Sequence, residues 1–319
     1  MGARVSETDV VCIGETMALF RAETSGPLTH ARGMTLGIGG SESNVAIALT
    51  RLGRRATWVG ALGADSLGEL VLHELRGEGV HVIAPRHPTA PTGLMIKARR
   101  TPLTQQVSYY RKGSAGSLIE PDDVPGDIIS RARILHVTGI TPALSSSAAQ
   151  AIDHAIAIAR DNGVLVSFDI NYRTALWRDR DVRAELRPLL KSADVVFAGA
   201  DEAALVVGPG APEELAARLA ELGPQEVVVK LGGKGALALV DGTYHQRSAV
   251  PITAIDTVGA GDAFVAGYLA ELLEGERVDE RLRTAVRVGA FACLVPGDWE
   301  GLPTRADLEL LDSAETVAR

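Results

Sequence analysis

Aromatic side chains are scarce in this 319-residue chain, at 4% of positions, so Ala, Val, Leu and Ile must fill its core. The hydrophobic fraction of 46% is ample for that purpose, and the length suits one large domain or two modest ones. Cysteine is nearly absent. Cys12 and Cys293 each sit in an apolar stretch (VVCIG, AFACLV), which predicts two buried thiols rather than a disulfide or a metal site. No apolar run approaches the length of a membrane span, and MGARVSETDVVCIG has too short an apolar stretch for a signal peptide. The expectation is a cytoplasmic protein. No long Lys/Arg run occurs and the formal net charge is −8, which argues against nucleic acid or an anionic membrane as the main partner. An anionic small substrate needs only a local pair of cations and stays open.

Two phosphate-binding signatures are missing as well. A P-loop would end in GK[ST], but Lys234 is followed by Gly235. A dinucleotide fingerprint would follow the first strand. Here Gly37 and Gly39 lie well past it, and Glu42 stands where the third glycine belongs, a charge that opposes pyrophosphate. P-loop ATPases and nicotinamide-dependent dehydrogenases are therefore disfavoured.

What is present alternates. Val10 to Gly14, Thr57 to Gly60, Ile134 to Thr138, Leu165 to Ile170, Val195 to Ala198 and Val227 to Leu231 read as buried strands. Asn44 to Leu52, Leu67 to Glu78, Ser145 to Asn162, Val182 to Lys191 and Pro212 to Leu222 read as helices. Strands buried on both faces and separated by helices imply parallel βαβ units, hence an α/β fold with helices on both sides of a sheet. Met17 to Gly37 and Thr92 to Arg111 look extended, the second with a Pro-containing turn between two arms. They are expected to form a small β lid on a single domain spanning residues 1–319.

The most specific string is AIDTVGAGDAFVAGYLAELLEG, Ala254 to Gly275. A strand-like run ends at Asp256. Gly259, Ala260 and Gly261 then allow a tight backbone, and an apolar helix follows. Small residues at a helix start let bare N–H groups approach an anion, and the helix dipole adds favourable potential. A carboxylate there would repel phosphate unless it had a task. Asp262 is placed to take the proton of an attacking hydroxyl, and Asp256 to help hold a cation. The plainer alternative, an Asp capping a helix, suits a lone Gly-Asp pair better than the whole string.

A second string, GIGGSESNVAIALTRLG (Gly37 to Gly53), sets Gly39 and Gly40 before an Ala-rich helix. Such a turn lets a polyol approach the backbone, and Asn44 offers both a donor and an acceptor. Close helix packing, with Asn44 as a cap, explains the same residues equally well.

Together the two strings resemble the signature regions of the PfkB (ribokinase-like) carbohydrate kinases. ALGADSLGELVLHELRGEGV (Ala61 to Val80) looks like that family's Gly-x-Asp-x-x-Gly segment, and the resemblance runs collinearly from Val10 to about Val295. It implies a ribokinase-like three-layer sandwich with a mostly parallel sheet and a β lid, and it implies ATP and Mg²⁺. It also implies Asp262 as base, with the N–H groups of Gly259 to Asp262 as an anion hole. VVVKLGGKGALAL places Lys230, Gly232 and Gly235 near the nucleotide, although a plain strand and turn would read alike. The family often has Asn-x-x-Glu after the strand ending near Ala198. Here Glu202 matches the Glu but Gly199 replaces the Asn. Glu202 is left to bind hydrated Mg²⁺, or simply to serve as a helix-start carboxylate. The family often carries a monovalent cation such as K⁺ beside the Asp256 loop, and often pairs lids between subunits, which implies a dimer or larger homo-oligomer.

The substrate reading rests on weaker pieces. GETM (Gly14 to Met17), SYYRKGSAGS (Ser108 to Ser117) and SFDINYRTALW (Ser167 to Trp177) resemble the 2-keto-3-deoxygluconate kinases. In ribokinases an Asp commonly stands where Glu15 is. A sugar acid carries a carboxylate, and a guanidinium binds it with two aligned charge-assisted bonds, which nominates Arg111 and Arg173. Tyr109 offers a hydroxyl or a flat surface, and Asp169 and Asn171 end a strand where open α/β sheets bind ligands. The plainer alternatives are a lid-surface charge for Arg111 and an ion pair with Asp169 for Arg173. Met95 stands where these kinases often have a sugar-touching Tyr. The rivals are another sugar kinase of the family and a sugar sensor that lost the chemistry. Retention of both Asp256 and Asp262 speaks against the sensor.

Overall fold

In the first strand, Val10 and Cys12 face one hydrophobic core while Val11 and Ile13 face the other, and all four are fully buried. A two-residue period with apolar groups on both faces is what a strand between two helical layers requires. The computed structural model describes residues 8–101, 104–178 and 180–311. Nine strands form the central sheet, in the order Thr243–Arg247, Ala236–Val240, Glu226–Lys230, Val195–Gly199, Leu165–Asp169, Ile134–Thr138, Val10–Ile13, Ala56–Val59 and His81–Ile83. All neighbours from Glu226–Lys230 to His81–Ile83 pair in parallel, and the two at the other edge are antiparallel. The six strands expected from sequence all appear, shifted by no more than a residue at either end. The five expected helices appear as Ser41–Arg51, Ser66–Gly77, Ser146–Asp161, Val182–Ser192 and Pro212–Ala220.

One layer holds Ser146–Asp161, Val182–Ser192 and Pro212–Ala220, packed on Val11, Leu135, Val166 and Val229. The other holds Ser41–Arg51, Ala260–Glu274 and Val278–Ala292, packed on Cys12, Trp58, Phe197 and Val228. Helix Ala260–Glu274 is buried on almost every side, between Ser41–Arg51 and Val278–Ala292. Its crossing with the latter is close: a Cβ on Gly267 would lie 2.9 Å from the Ala285 Cα. Small residues at such crossings let backbones approach.

The lid is a second sheet, in the order Met34–Gly39, Met17–Ala22, Leu94–Thr101 and Thr104–Tyr110. The expected turn at Pro102 and Leu103 lies outside the described residues. Met17, Leu19 and Met95, with Val107, form a small apolar cluster of the lid. Asp65 of the Gly-x-Asp-x-x-Gly segment anchors the lid. Its Oδ1 accepts from the Gly68 N–H and the Thr92 hydroxyl, each at 2.8 Å, and its Oδ2 accepts from the Thr92 N–H at 2.8 Å. One carboxylate thus caps a helix and fixes the residue from which the lid strand starts.

Two sequence expectations fail locally. The run before Asp256 is not a strand. Residues 248–254 have no regular structure and Ile255 is half exposed, because the sheet already ends at Thr243–Arg247. Asn44 does not cap its helix. The helix starts at Ser41 with Gly40 as N-cap, which leaves Asn44 inside it and free to reach across to another element.

Candidate active site

Two helix N-termini converge at the carboxyl end of the parallel strands. One belongs to Ser41–Arg51 and the other to Ala260–Glu274, whose N-cap Gly259 has φ 75°. That left-handed backbone favours glycine, and a Cβ there would sit 2.0 Å from the Asp298 carbonyl oxygen. Asp262 lies in the first turn and joins the two helices. Ser41 Oγ donates to its Oδ1 at 2.7 Å and Asn44 Nδ2 donates to its Oδ2 at 2.8 Å. Asn171 Nδ2 reaches Ser41 Oγ at 2.7 Å and Asp262 Oδ1 at 3.4 Å. Asn171 has φ 39°, a conformation that Asn tolerates better than most residues and that is typical of functional loops. Burial pushes the Asp262 carboxyl up to about 6, against the pull of the Ser41 and Asn44 bonds and of the Arg173 charge.

Two cavities meet at this helix start. One, of about 540 Å³, lies beneath the lid and is walled by polar groups, including Glu15, Asn44, Arg111, Asn171, Arg173 and Asp262. Gly39, Gly40 and Tyr109 also line it. The second, of about 450 Å³, is a largely apolar cleft with Val250, Ile252, Phe264, Val286, Ala290 and Gly235 on its walls. Lys230, Gly232, Thr257 and Gly261 line both cavities. Gly259 borders the polar cavity and Ala260 the apolar one. Little crowds the shared wall: the nearest atom to a Cβ built on Gly261 is Lys230 Nζ, at 3.7 Å. A ligand with a flat apolar end and a charged tail could lie in the second cavity and present its tail at Gly259 to Asp262, beside whatever occupies the first.

The guanidinium groups differ in their partners. Arg111 is not a lid-surface charge: its side chain is 10% exposed, its Nε donates to Glu15 Oε2 at 2.7 Å, and Ser114 donates to the other Glu15 oxygen. Tyr109 stacks over it with its ring centroid at 5.8 Å. The ion pair considered for Arg173 does not form. Asp169 instead holds Lys230, whose Nζ donates to both carboxylate oxygens at 2.9 and 2.7 Å. Arg173 is exposed and makes no side-chain hydrogen bond or ion pair among the described residues. Burial would depress the Lys230 ammonium, but Asp169 and Glu202 outweigh it and push it up, so it stays charged.

Two expected residues lie off the cavity walls. Asp169 does not reach the cavity wall: its carboxylate is 1% exposed, and each of its oxygens accepts from Lys230. Asp256 lines neither cavity; it accepts from the Val258 N–H at 3.2 Å and lies 3.3 Å from Arg99 Nη2. Gly39 and Gly40 line the polar cavity, and neither leaves room for a side chain. A Cβ on Gly39 would meet Met95 Cε at 2.3 Å, and one on Gly40 would meet the Glu15 carbonyl at 2.4 Å. These glycines let the lid join the body. Glu202 borders the polar cavity and also closes its helix start, accepting from the Gly199 N–H at 2.6 Å and the Tyr172 N–H at 2.9 Å.

Several site residues escaped sequence reasoning. Ser41 had a signal, a hydroxyl at a glycine-led helix start, but only its bond to Asp262 reveals its use. Glu42 lines the cavity at 1% exposure, accepts from Thr138 at 2.7 Å and Thr141 at 3.1 Å, and is pushed by burial up to about 7. Lys97 and Asp298 form a buried ion pair on the wall and lie 201 residues apart, beyond any local pattern.

The family model described as pfkB family carbohydrate kinase matches residues 7–305. The chain belongs to that family. This carbohydrate kinase is 37% identical over 317 residues to the 2-dehydro-3-deoxygluconokinase of Bacillus subtilis (strain 168), covering 96% of each chain. It is 39% identical over 308 residues to the enzyme of that name from Thermoproteus tenax, covering 95% of this chain and 93% of the relative. The solved fructokinase of Xylella fastidiosa with bound ATP superposes with a TM-score of 0.85 at 25% identity, covering 96% of this chain and 98% of that one. The ribokinase-like α/β fold with its second small sheet is thereby placed among known kinases.

Proposed function

We propose that this kinase transfers the γ-phosphoryl group of ATP to the 6-hydroxyl of 2-keto-3-deoxygluconate, the sugar acid also called 2-dehydro-3-deoxygluconate. The observation that carries the reading is Arg173, an unpaired guanidinium on the wall of the cavity that Asp262 faces. Arg111 stands on the same wall, already oriented by Glu15. The two guanidiniums suit a carboxylate-bearing sugar, and the names of the two curated relatives agree. The unpartnered Asn44 Oδ1 supplies an acceptor to a hydroxyl hydrogen if its amide turns toward the cavity.

In this reading Asp262 takes the proton from the attacking hydroxyl. The N–H groups of Gly259 to Asp262 and the helix dipole stabilise charge on the transferring phosphoryl group. The apolar cleft takes the adenine, as the ATP-bound relative suggests, with Lys230, Gly232 and Gly235 along its nucleotide side. Among the described residues no cluster of three His, Cys, Asp or Glu could cage a metal. Mg²⁺ keeps its waters and is held mainly by substrate phosphates, so a single protein carboxylate is enough to place it. Glu202 is the residue to hold such a hydrated ion, since each of its oxygens keeps a lone pair beyond its backbone bond. Mg²⁺ would neutralise the phosphates. A monovalent cation at Asp256 fits poorly, because Arg99 already pairs with that carboxylate.

The chain is read as one domain with a lid, working in the cytoplasm where ATP is available. Leu36, Phe20 and Ile96 make one cross-strand row on the lid, with Leu36 49% exposed. Such a row suits a dimer formed lid to lid.

The test is a panel of sugars and sugar acids assayed for ATP consumption. 2-Keto-3-deoxygluconate should be the best acceptor. If fructose or ribose exceeds it by more than about tenfold in kcat/KM, roughly 1.4 kcal/mol in transition-state binding, the substrate assignment is wrong.

A further inference from the structure

Two cations leave the lid strand Leu94–Thr101 two residues apart, and both meet the segment around the helix start at Gly259. Lys97 is ion-paired with Asp298, both nearly fully buried. Arg99 Nη2 donates to the Ile255 carbonyl at 2.9 Å and lies 3.3 Å from Asp256 Oδ2. Both acids in turn hold the loop. Asp256 accepts from Val258 N at 3.2 Å through Oδ1 and from Gly297 N at 3.4 Å through Oδ2. The Asp298 carbonyl lies so near Gly259 that no Cβ fits between them. A continuous path of contacts therefore runs from the lid strand to Gly259–Asp262, and its Arg99–Asp256 link lines neither cavity.

We propose that Arg99 is a positioning residue for phosphoryl transfer, tying the lid strand to the Asp256–Asp262 loop so that the loop adopts its working geometry only while the lid is seated. Asp256 has a side chain only 4% exposed, beside the place where the anionic phosphates of ATP arrive. Left alone, that carboxylate would be a buried uncompensated charge and would repel the phosphates. Arg99 removes both problems and comes from the element that covers the sugar. The inference rests on the reading of this loop as the phosphate site.

Arg99 lines neither cavity, so its loss should act on the transfer step rather than on sugar contact. In Arg99→Gln, kcat should fall by about 10- to 100-fold, the usual scale for a displaced reacting group, while the KM for the sugar acid stays within about threefold. Arg99→Lys should recover much of the loss, and added guanidinium ion should raise the turnover of Arg99→Ala. A role as a mere lid fastener predicts the opposite split, a raised sugar KM at unchanged kcat, and that result overturns the proposal. So does unaltered kcat in Arg99→Gln, or failure of both Arg99→Lys and guanidinium to restore activity. Asp262→Asn separates the two levels. If it keeps full turnover, the reading of the loop is wrong. If it is inactive while Arg99→Gln is fully active, only the coupling is wrong.

Discussion

Asp262 receives hydrogen bonds from Ser41, Asn44 and Asn171, all from outside its own helix, and those donors keep a buried carboxylate ionisable. Replacing it with Asn should lower turnover by about 10²- to 10⁴-fold, the range for a lost general base. ATP affinity, read by calorimetry, should change only a few-fold. The raised value has a direction in pH. The base works ionised, so kcat/KM should fall with unit slope as pH drops below about 6, rather than below the ordinary 3.8 of an Asp. A rate profile flat down to pH 5 would contradict the assignment.

Glu42 allows a separate measurement on stability. Burial raises its carboxyl from 4.5 to about 7 in the folded protein, so the folded state holds the proton more tightly than the unfolded chain. Stability is then lost as pH rises from about 4.5 through about 7, and the whole penalty is present above that window. Glu42→Gln keeps the oxygen that accepts from Thr138 and Thr141 and removes the charge. The variant should melt at least about 2 °C above the parent at pH 8, with the difference vanishing near pH 4.5. An equal difference at both pH values would show that the charge is not its source.

At the scale of elements, the helix start at Gly259 is a tightly constrained turn. Gly259→Ala adds a methyl where φ is 75° and where the Asp298 carbonyl would be 2.0 Å away. It should cost about 1–3 kcal/mol of stability in a thermal or urea melt, and turnover should fall further than stability alone explains, because the N–H groups of the first turn move. The elements themselves were legible for a simple reason. The six parallel strands read from sequence are short, largely apolar runs buried on both faces, and helices such as Ser66–Gly77 and Ser146–Asp161 carry a one-sided apolar pattern. The run before Asp256 misled because its residues resemble a strand while no sheet edge remains to receive them. Asn44 misled because a helix start is settled by backbone packing, here of Gly40 against the Glu15 carbonyl, which leaves no local trace.

For the whole molecule, the proposed lid-to-lid dimer predicts twice the chain mass by light scattering. Leu36→Glu, at the exposed end of the lid row, should shift the protein toward the single-chain mass while leaving its helical circular dichroism intact. A parent that runs as a monomer at assay concentration would remove the dimer from the account. The lid is also the part of the molecule where sequence spacing says least. Its strands come from chain segments separated by the whole of Ser41–Arg51 and Ser66–Gly77, and Asp65 with Thr92 brings the second segment into place.

The amino-acid sequence by itself determined the α/β architecture, the family and the two segments that meet at Asp262. Those features are written in local patterns: hydrophobic period, glycine at tight turns, and a carboxylate at a helix start. Only the tertiary structure decided which charges are free. Lys230 holds Asp169, Glu15 holds Arg111, Arg99 holds Asp256 and Lys97 holds Asp298, while Arg173 makes no ion pair among the described residues. Charge pairing depends on which side chains come within a few ångströms across the fold, and residues 201 positions apart carry no sequence signal of that.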